Sequence, residues 1–323
     1  MIHRRQALRT LIGAACALSL PAAFGQAFPD RTIHLVVAYP PGGQADAIGR
    51  LTARKLGELL GGTVIVENRP GGNSTVAADF VARAPADGYT LLLGAASNLT
   101  VAPVFESQIR YDPLRDFVPV GRIARVPQLL VVRSSLPIAT MAQLLEYARR
   151  YPGQLTFAST AAANELAIES LKASERLDIV VVPYKGTAPG MLDLLGERVD
   201  LAISDVTTVT PHVRSGALRV IANASATRAR EFRDVPTMAE QGVPSYVFES
   251  WQSLVAPRAT PPVVVARLQS ALRQALAAPD FREALQQMGF VPIDEAADVF
   301  PAALRAEIEH HKALAQKLGR APS

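Results

Sequence analysis

The sequence is poor in the residue types that carry most enzyme chemistry. It has one cysteine, Cys16, close to the N-terminus. The body of the chain therefore offers neither a disulfide nor a thiol nucleophile and is held by core packing alone. Histidine is scarce, with five in 323 residues, and no two are spaced to share a metal. His34 sits in an apolar run, His212 stands alone, and His310 and His311 are adjacent, so on a helix they point about 100° apart. The G-x-S-x-G, H-E-x-x-H and C-x-x-C patterns are missing, as are the glycine-rich phosphate and dinucleotide loops that would follow a first strand. Charge is low too: 19% of residues are charged against 49% hydrophobic, which describes a well-folded globular chain. No basic stretch interleaves with aromatics, so a nucleic-acid partner has no support. An acid–base pair drawn from distant positions is compatible with these absences, but no spacing nominates one.

Arg4, Arg5 and Arg9 precede or open an apolar run, Leu11–Leu20, and a small-residue stretch ends at Ala27. This order reads as a secretory signal peptide over 1–27, cut after Ala27. The run is about half the ~20 apolar residues that span a bilayer, which argues for a removable segment over an anchor. The Arg4–Arg5 pair hints at twin-arginine export, and the flank of Cys16 lacks the leucine of a lipoprotein signal. Removal of 1–27 takes three arginines and no acidic residue. The 33 basic residues then fall to 30 against 29 acidic, and the net charge drops from +4 to +1.

The remaining length suits two domains of ~100–150 residues. Strand-like and helical patterns alternate. Ile33–Tyr39, Thr63–Glu67 and Tyr89–Leu93 read as strands around helices Ala45–Leu60 and Ser74–Arg83. The rhythm repeats with strands Leu129–Val132, Leu155–Ala158, Ile179–Pro183, Val199–Ser204 and Leu218–Asn223, and helices Met141–Arg150, Asn164–Ala173 and Gly190–Leu195. Trp251–Ala256 leads into helices Val263–Ala278, Phe281–Met288 and Val299–Leu318. The order predicts an α/β fold of mostly parallel sheets flanked by helices.

One turn carries a physical signature. The first strand runs into Pro40, Pro41, Gly42 and Gly43, and a helix opens near Ala45. Such a turn brings backbone N–H groups and a helix N-terminus together, which favours an anion, and parallel sheets place ligands at this edge. The same residues also make a plain tight turn. Asp46 either caps the helix's free N–H groups or orients a ligand's donor.

Long stretches resemble a known family: VVAYPPGGQADAIGR at Val36–Arg50, VIVENRPGGNSTVAADFVARAPADGYTLLLG at Val64–Gly94, YDPLRDFVPVGRIA at Tyr111–Ala124, VPYKGTAPGMLDLLGERVDLA at Val182–Ala202, VPTMAEQGVP at Val235–Pro244, and LVAPRATP after Trp251. They are similar to the periplasmic solute receptors of tripartite tricarboxylate transporters, the Bug receptors. The resemblance implies two α/β lobes of the periplasmic-binding type around a ligand cleft. Crossings would lie near Val126 and Glu249, giving lobe one as 28–126 plus 249–323 and lobe two as 127–248. It implies a periplasmic monomer that captures a small carboxylate for a membrane permease, with no cofactor, metal or turnover.

Carried over by motif, lobe one would bind through the Tyr39–Asp46 loop, with Tyr39, Pro41, Gly42, Gly43 and Asp46, and through Ala95, Ser97 and Asn98 after the third strand. There, backbone N–H groups and ordered water would hold a carboxylate. Lobe two would use Ser159, Thr160, Ala161, Lys185 and Asp205. Asp205 either meets a ligand ammonium or caps the next helix. One segment departs from the family, where Ser-Ser-Gly-x-Gly-Ser/Thr and then His-Leu are usual. Here Ser159–Leu166 has alanine at both glycine positions and Glu165 at the histidine position. Lobe two is then expected to grip differently, on a ligand that is smaller, less anionic or partly cationic. Two other uses of such a cleft are a sensor that reports to a membrane signalling partner and a secreted hydrolase or isomerase.

Overall fold

The computed structural model describes residues 28–317 and 319, apart from 107, 244–247, 249, 296 and 297, and without the side chains of Asn73 and Ala162. The expected signal peptide at 1–27, the crossing at Glu249 and the helix end at Leu318 lie outside the described residues.

The chain opens with β1 (Ile33–Val37), helix α1 (Gln44–Leu60), β2 (Val64–Asn68), α2 (Thr75–Ala82), β3 (Thr90–Ala95) and β4 (Phe117–Val126). It then builds β5 (Gln128–Arg133), α3 (Met141–Arg150), β6 (Thr156–Ser159), α4 (Ala162–Glu175), β7 (Val180–Pro183), α5 (Thr187–Leu195), β8 (Leu201–Asp205), α6 (Val206–Arg214) and β9 (Leu218–Asn223). Last come β10 (Ser250–Pro257), α7 (Pro262–Ala277), α8 (Pro279–Gln287), β11 (Val291–Pro292) and α9 (Val299–Lys317). Two sheets result, ordered β11-β4-β10-β3-β1-β2 and β7-β6-β8-β5-β9. The protein is a two-lobed α/β molecule with helices on the faces of both sheets.

Local pattern explains the elements. In α1 the buried side of the helix carries Ala45, Ile48, Thr52, Leu56 and Leu60, the three-to-four spacing of one helical stripe. A side chain at Gly49 would meet Val37 Cγ2 at 2.9 Å, so glycine there lets α1 lie close on β1. Each sheet has a core on both faces; in the first, Leu35 and Val37 point to one and Val36 to the other. Each such fully buried side chain stabilises by roughly 1.5–3 kcal/mol.

Parallel pairing is confined to part of each sheet: β2–β1–β3 in one and β7–β6–β8 in the other. The remaining pairings, through β10, β4 and β11 and through β5 and β9, are antiparallel. The expectation of mostly parallel sheets therefore gives way to mixed ones, because the strands on either side of each crossing run back against the βα units. Three of these elements, β4, α6 and the short β11, were given no range by the sequence pattern. β4 contains Pro119 and Gly121; its register with β10 shifts between Leu254 and Val255, leaving Val120 as a bulge beside Pro119. α6 is rich in β-branched residues and contains Pro211, but Asp205 caps it.

The registers orient the two halves. Ser250 pairs with Val126 where the chain leaves and re-enters the first sheet, and Gln252 pairs with Ala95 at the end of β3. Two residues past Val126, Gln128 pairs with Asp205 at the end of β8. The carboxyl ends of β1 and β3 thus face those of β6 and β8, the edges where such sheets present loops to ligands.

Candidate functional site

On the first sheet's carboxyl edge, β1 runs into the Tyr39–Gly43 turn. Gly42 has φ +85°, a conformation glycine adopts without strain. Gly43 has φ −85° and ψ 176° and is the N-cap of α1, with no side-chain cap. A Cβ on Gly43 would meet only the Pro40 carbonyl at 3.8 Å. Backbone conformation and packing therefore demand glycine at 42 but not at 43.

Asp46 organises this turn from within. Its Oδ2 accepts from the Gly42 N–H at 3.0 Å and from Arg50 Nε at 2.9 Å, and its Oδ1 accepts from Asn68 Nδ2 at 3.0 Å. Asn68 Nδ2 also donates to the Tyr39 carbonyl. Burial works to raise the Asp46 pKa, but the bonds from Arg50, Gly42 and Asn68 outweigh it and hold the carboxyl below its ordinary value. Asp46 thus grips the loop rather than the first turn of α1, and its carboxylate is engaged by three internal donors. The Gly42 amide is consequently occupied. The outward donors of the turn are the N–H of Gly43, which has no acceptor among the described residues, and those of Gln44 and Ala45, which as first-turn amides have no i−4 carbonyl.

The β3 end adds side-chain donors. Ser97 opens a π-helical turn, Ser97–Val101, a backbone form frequent at functional sites. Ser97 Oγ lies 2.5 Å from the Tyr39 hydroxyl and accepts from Ser74 Oγ at 3.2 Å. The hydroxyls of Tyr39, Ser97 and Ser74 thus form one cluster at the end of β3. Burial pushes the Tyr39 pKa up against the lowering pull of Ser97 and Ser74, so the phenol keeps its proton. Asn98 is fully buried. Its Oδ1 accepts from the Ala95 N–H at 2.9 Å, and its own carbonyl accepts from the Tyr111 hydroxyl at 2.5 Å. Its Nδ2 has no partner. A buried donor left unmatched costs about 1–3 kcal/mol, a deficit that an arriving acceptor or ordered water removes.

Lobe two presents three strand ends. Ser159, buried at the end of β6, accepts from the Tyr184 N–H through its carbonyl. Thr160 packs against α5, where a Cβ on Gly190 would meet its Cγ2 at 2.7 Å. Ala161 is the N-cap of α4, extended at φ −161°, without a side-chain cap. Ala161 therefore forms no left-handed nest; it starts a helix whose first turn carries Glu165. Lys185 is exposed and precedes Gly186, the N-cap of α5. Asp205 is a helix cap: it accepts from the Thr208 N–H at 2.9 Å and from the hydroxyls of Thr207 and Thr208. Of its two sequence readings, the structure realises the cap. The lobes touch where Val101 packs against Ala163 and Leu166, and a Cβ on Gly289 would meet Thr207 Cγ2 at 3.3 Å.

A network that sequence spacing did not point to lies under the π-helical turn. The Trp251 indole donates to Glu307 Oε2 at 2.9 Å, the Thr100 hydroxyl donates to Glu307 Oε1 at 2.9 Å, and His311 Nδ1 donates to the Thr100 carbonyl at 3.1 Å. Two residues one turn apart on α9 thus fix Thr100 from both ends. The only hint was two polar residues four apart on the side of a helix that also buries Leu304 and Ile308. Among the described residues, no group of three or more histidines, cysteines or acids could hold a metal, and no helix is long and apolar enough to cross a membrane.

Comparisons place this geometry among known proteins. Residues 48–320 match the model of the tripartite tricarboxylate transporter family receptor. The chain is similar to protein BugT of Bordetella pertussis, 34% identical over 295 residues that cover 90% of each chain. Its fold is similar to R. palustris Rpa4515 with adipate, at 35% identity and TM-score 0.85, covering 92% of this chain and 100% of that one. It is similar too to MatC from Rhodopseudomonas palustris with bound malate, at 29% identity and TM-score 0.80, covering 89% and 99%.

Proposed function

Because this chain belongs to the tripartite tricarboxylate transporter receptor family, we propose that it is an extracytoplasmic receptor that closes two lobes on a small carboxylate and delivers it to the permease of a tripartite transporter. The observation that carries this reading is the set of outward donors at facing sheet edges. They are the amides that start α1, the hydroxyl cluster of Tyr39 and Ser97, and the unmatched Asn98 Nδ2, opposite the start of α4. Every one of these is a donor, and a set of convergent donors suits a compact carboxylate. The adipate and malate of the two similar structures are carboxylates of this kind. In this reading 1–27 is a signal peptide, the protein works in the periplasm as a monomer, residues 28–126 with 249–323 form lobe one, and 127–248 form lobe two. It binds without turnover. Thr160, Asp46 and Asp205 support the loops; Gly43, Tyr39, Ser97 and Asn98 meet the ligand, with Ala161 and Lys185 on the opposite wall.

Mass spectrometry of ligand released from the exported protein, followed by a thermal-shift panel of carboxylates including adipate and malate, tests the assignment. A true ligand at a hundredfold excess over its Kd adds about 2.7 kcal/mol; a panel without any shift, together with an empty mass spectrum, contradicts it. The Gly43→Ala variant gives a sharper test of the turn. Its backbone suits alanine, and the small loss at an N-cap is offset by reduced unfolded-state freedom. Stability should stay within about 0.5 kcal/mol, while the methyl group beside the approaching carboxylate lowers affinity about tenfold. Calorimetric titration beside chemical denaturation reads both.

A further inference from the structure

A second cavity, of 780 Å³, lies between the lobes, within the range of small-molecule sites. One wall is the α4 face with Leu166, Ser170 and Ser174; the other is the α9 face with Glu307, His311 and Leu314. Ala96 and Val101 line it, whereas Ser97 and Asn98 between them do not. It therefore sits across the π-helical turn from the carboxylate donors.

The polar lining of this cavity has the opposite character to the carboxylate site. The Ser170 hydroxyl donates to the Leu166 carbonyl at 2.6 Å and the Ser174 hydroxyl to the Leu171 carbonyl at 3.2 Å. His311 uses its Nδ1 proton on Thr100, so its Nε2 carries a lone pair. Glu307 is an acceptor already engaged by Trp251 and Thr100, and its negative charge borders the space. Ser250, half-buried, adds a hydroxyl, and Ser174, His310 and Lys317 stand at the water-exposed rim. Toward the interior the cavity offers apolar surface, lone pairs and one carboxylate. An anion would meet the Glu307 charge, with the Ser250 hydroxyl and the rim groups His310 and Lys317 as its donors.

We propose that the cavity between α4 and α9 binds a small apolar molecule with a hydrogen-bond-donating cationic head, such as a primary ammonium, at a site separate from the carboxylate cleft. The apolar body packs on Val101, Leu166 and Leu314, and the N–H groups meet the serine oxygens, His311 Nε2 and the Glu307 carboxylate. Because its walls belong to different lobes, an occupant favours this arrangement of the lobes and is thermodynamically linked to carboxylate binding.

The test uses 2-phenylethylamine as probe and the emission of Trp251, the one tryptophan in the sequence, as reporter, since its indole is bonded to Glu307. The expected result is a saturable emission change, at least about tenfold weaker with the N,N,N-trimethyl analogue, which keeps the charge but lacks N–H donors. Ser170→Phe, which fills the cavity, should weaken binding by a similar factor; Ala173→Phe, at an exposed position lining the same space, serves if Ser170→Phe does not fold. Asn98→Asp should leave the probe's affinity unchanged, which separates this site from the carboxylate reading. No saturable change up to ~10 mM probe, equal binding of the trimethyl analogue, or undiminished binding by a folded filled variant would overturn the proposal.

Discussion

The Asn98→Asp variant is expected to bind its carboxylate about 100-fold more weakly than the native protein while keeping the fold. The substitution preserves shape and the oxygen that accepts the Ala95 N–H, and changes only the group whose Nδ2 is buried without a partner. A hydrogen bond to a charged group is worth about 1.5–3 kcal/mol. Its loss alone is about 10- to 150-fold, to which repulsion between two carboxylates adds. The variant carries its own internal control. A buried carboxyl has a raised pKa, and once protonated it regains an O–H donor. Affinity should therefore recover in part as pH falls, with no such recovery in the native protein. Circular dichroism confirms folding, and titration across pH reads the effect. Native affinity in the variant at neutral pH means that Asn98 does not touch the ligand.

The second large effect concerns His311 and stability. Burial pushes the His311 pKa down from 6.5 to about 4, with His310 pushing the same way and the bond to the Thr100 carbonyl opposing. Folding thus favours the neutral ring. Between those values the unfolded chain holds a proton that the folded chain does not, so stability is full above ~6.5 and declines as pH drops toward 4. The whole window is worth about 3 kcal/mol. Denaturant unfolding at pH 7 and pH 4 should show that loss in the native protein and a loss smaller by about that amount in His311→Phe. Identical pH slopes in both proteins would mean that the ring titrates freely. The link to function is spatial, since the Thr100 carbonyl belongs to the turn that carries Ser97 and Asn98.

What could be read from the residues depended on whether local pattern or distant contact governed them. β1, α1 and the turn between them were legible because an apolar run of strand length, a helical stripe and two adjacent glycines agree. β4 was not, since Pro119 and Gly121 break the strand pattern and only a bulge opposite β10 reconciles them with a sheet. α6 was hidden by six β-branched residues and Pro211 in nine positions, against which a single cap at Asp205 is a weak local signal. The site shows the same division. Its loops were legible from their places at strand ends, but the choice of Asp46 to bond Gly42 was not, nor the contact among Tyr39, Ser74 and Ser97 across dozens of residues. The expectation of two outward glycine amides is accordingly narrowed to Gly43 and the first turn of α1. The Trp251–Glu307–Thr100–His311 network joins segments more than two hundred residues apart, and no spacing rule reaches that far.

The most direct test of the central claim is a crystal structure of the exported protein with the ligand it captures. The account predicts a carboxylate oxygen within about 3 Å of the Gly43 amide or of Asn98 Nδ2, between the carboxyl ends of β1 and β3 and the start of α4. A ligand bound elsewhere, or one whose carboxylate is held by lysine or arginine side chains with those donors left idle, would contradict it.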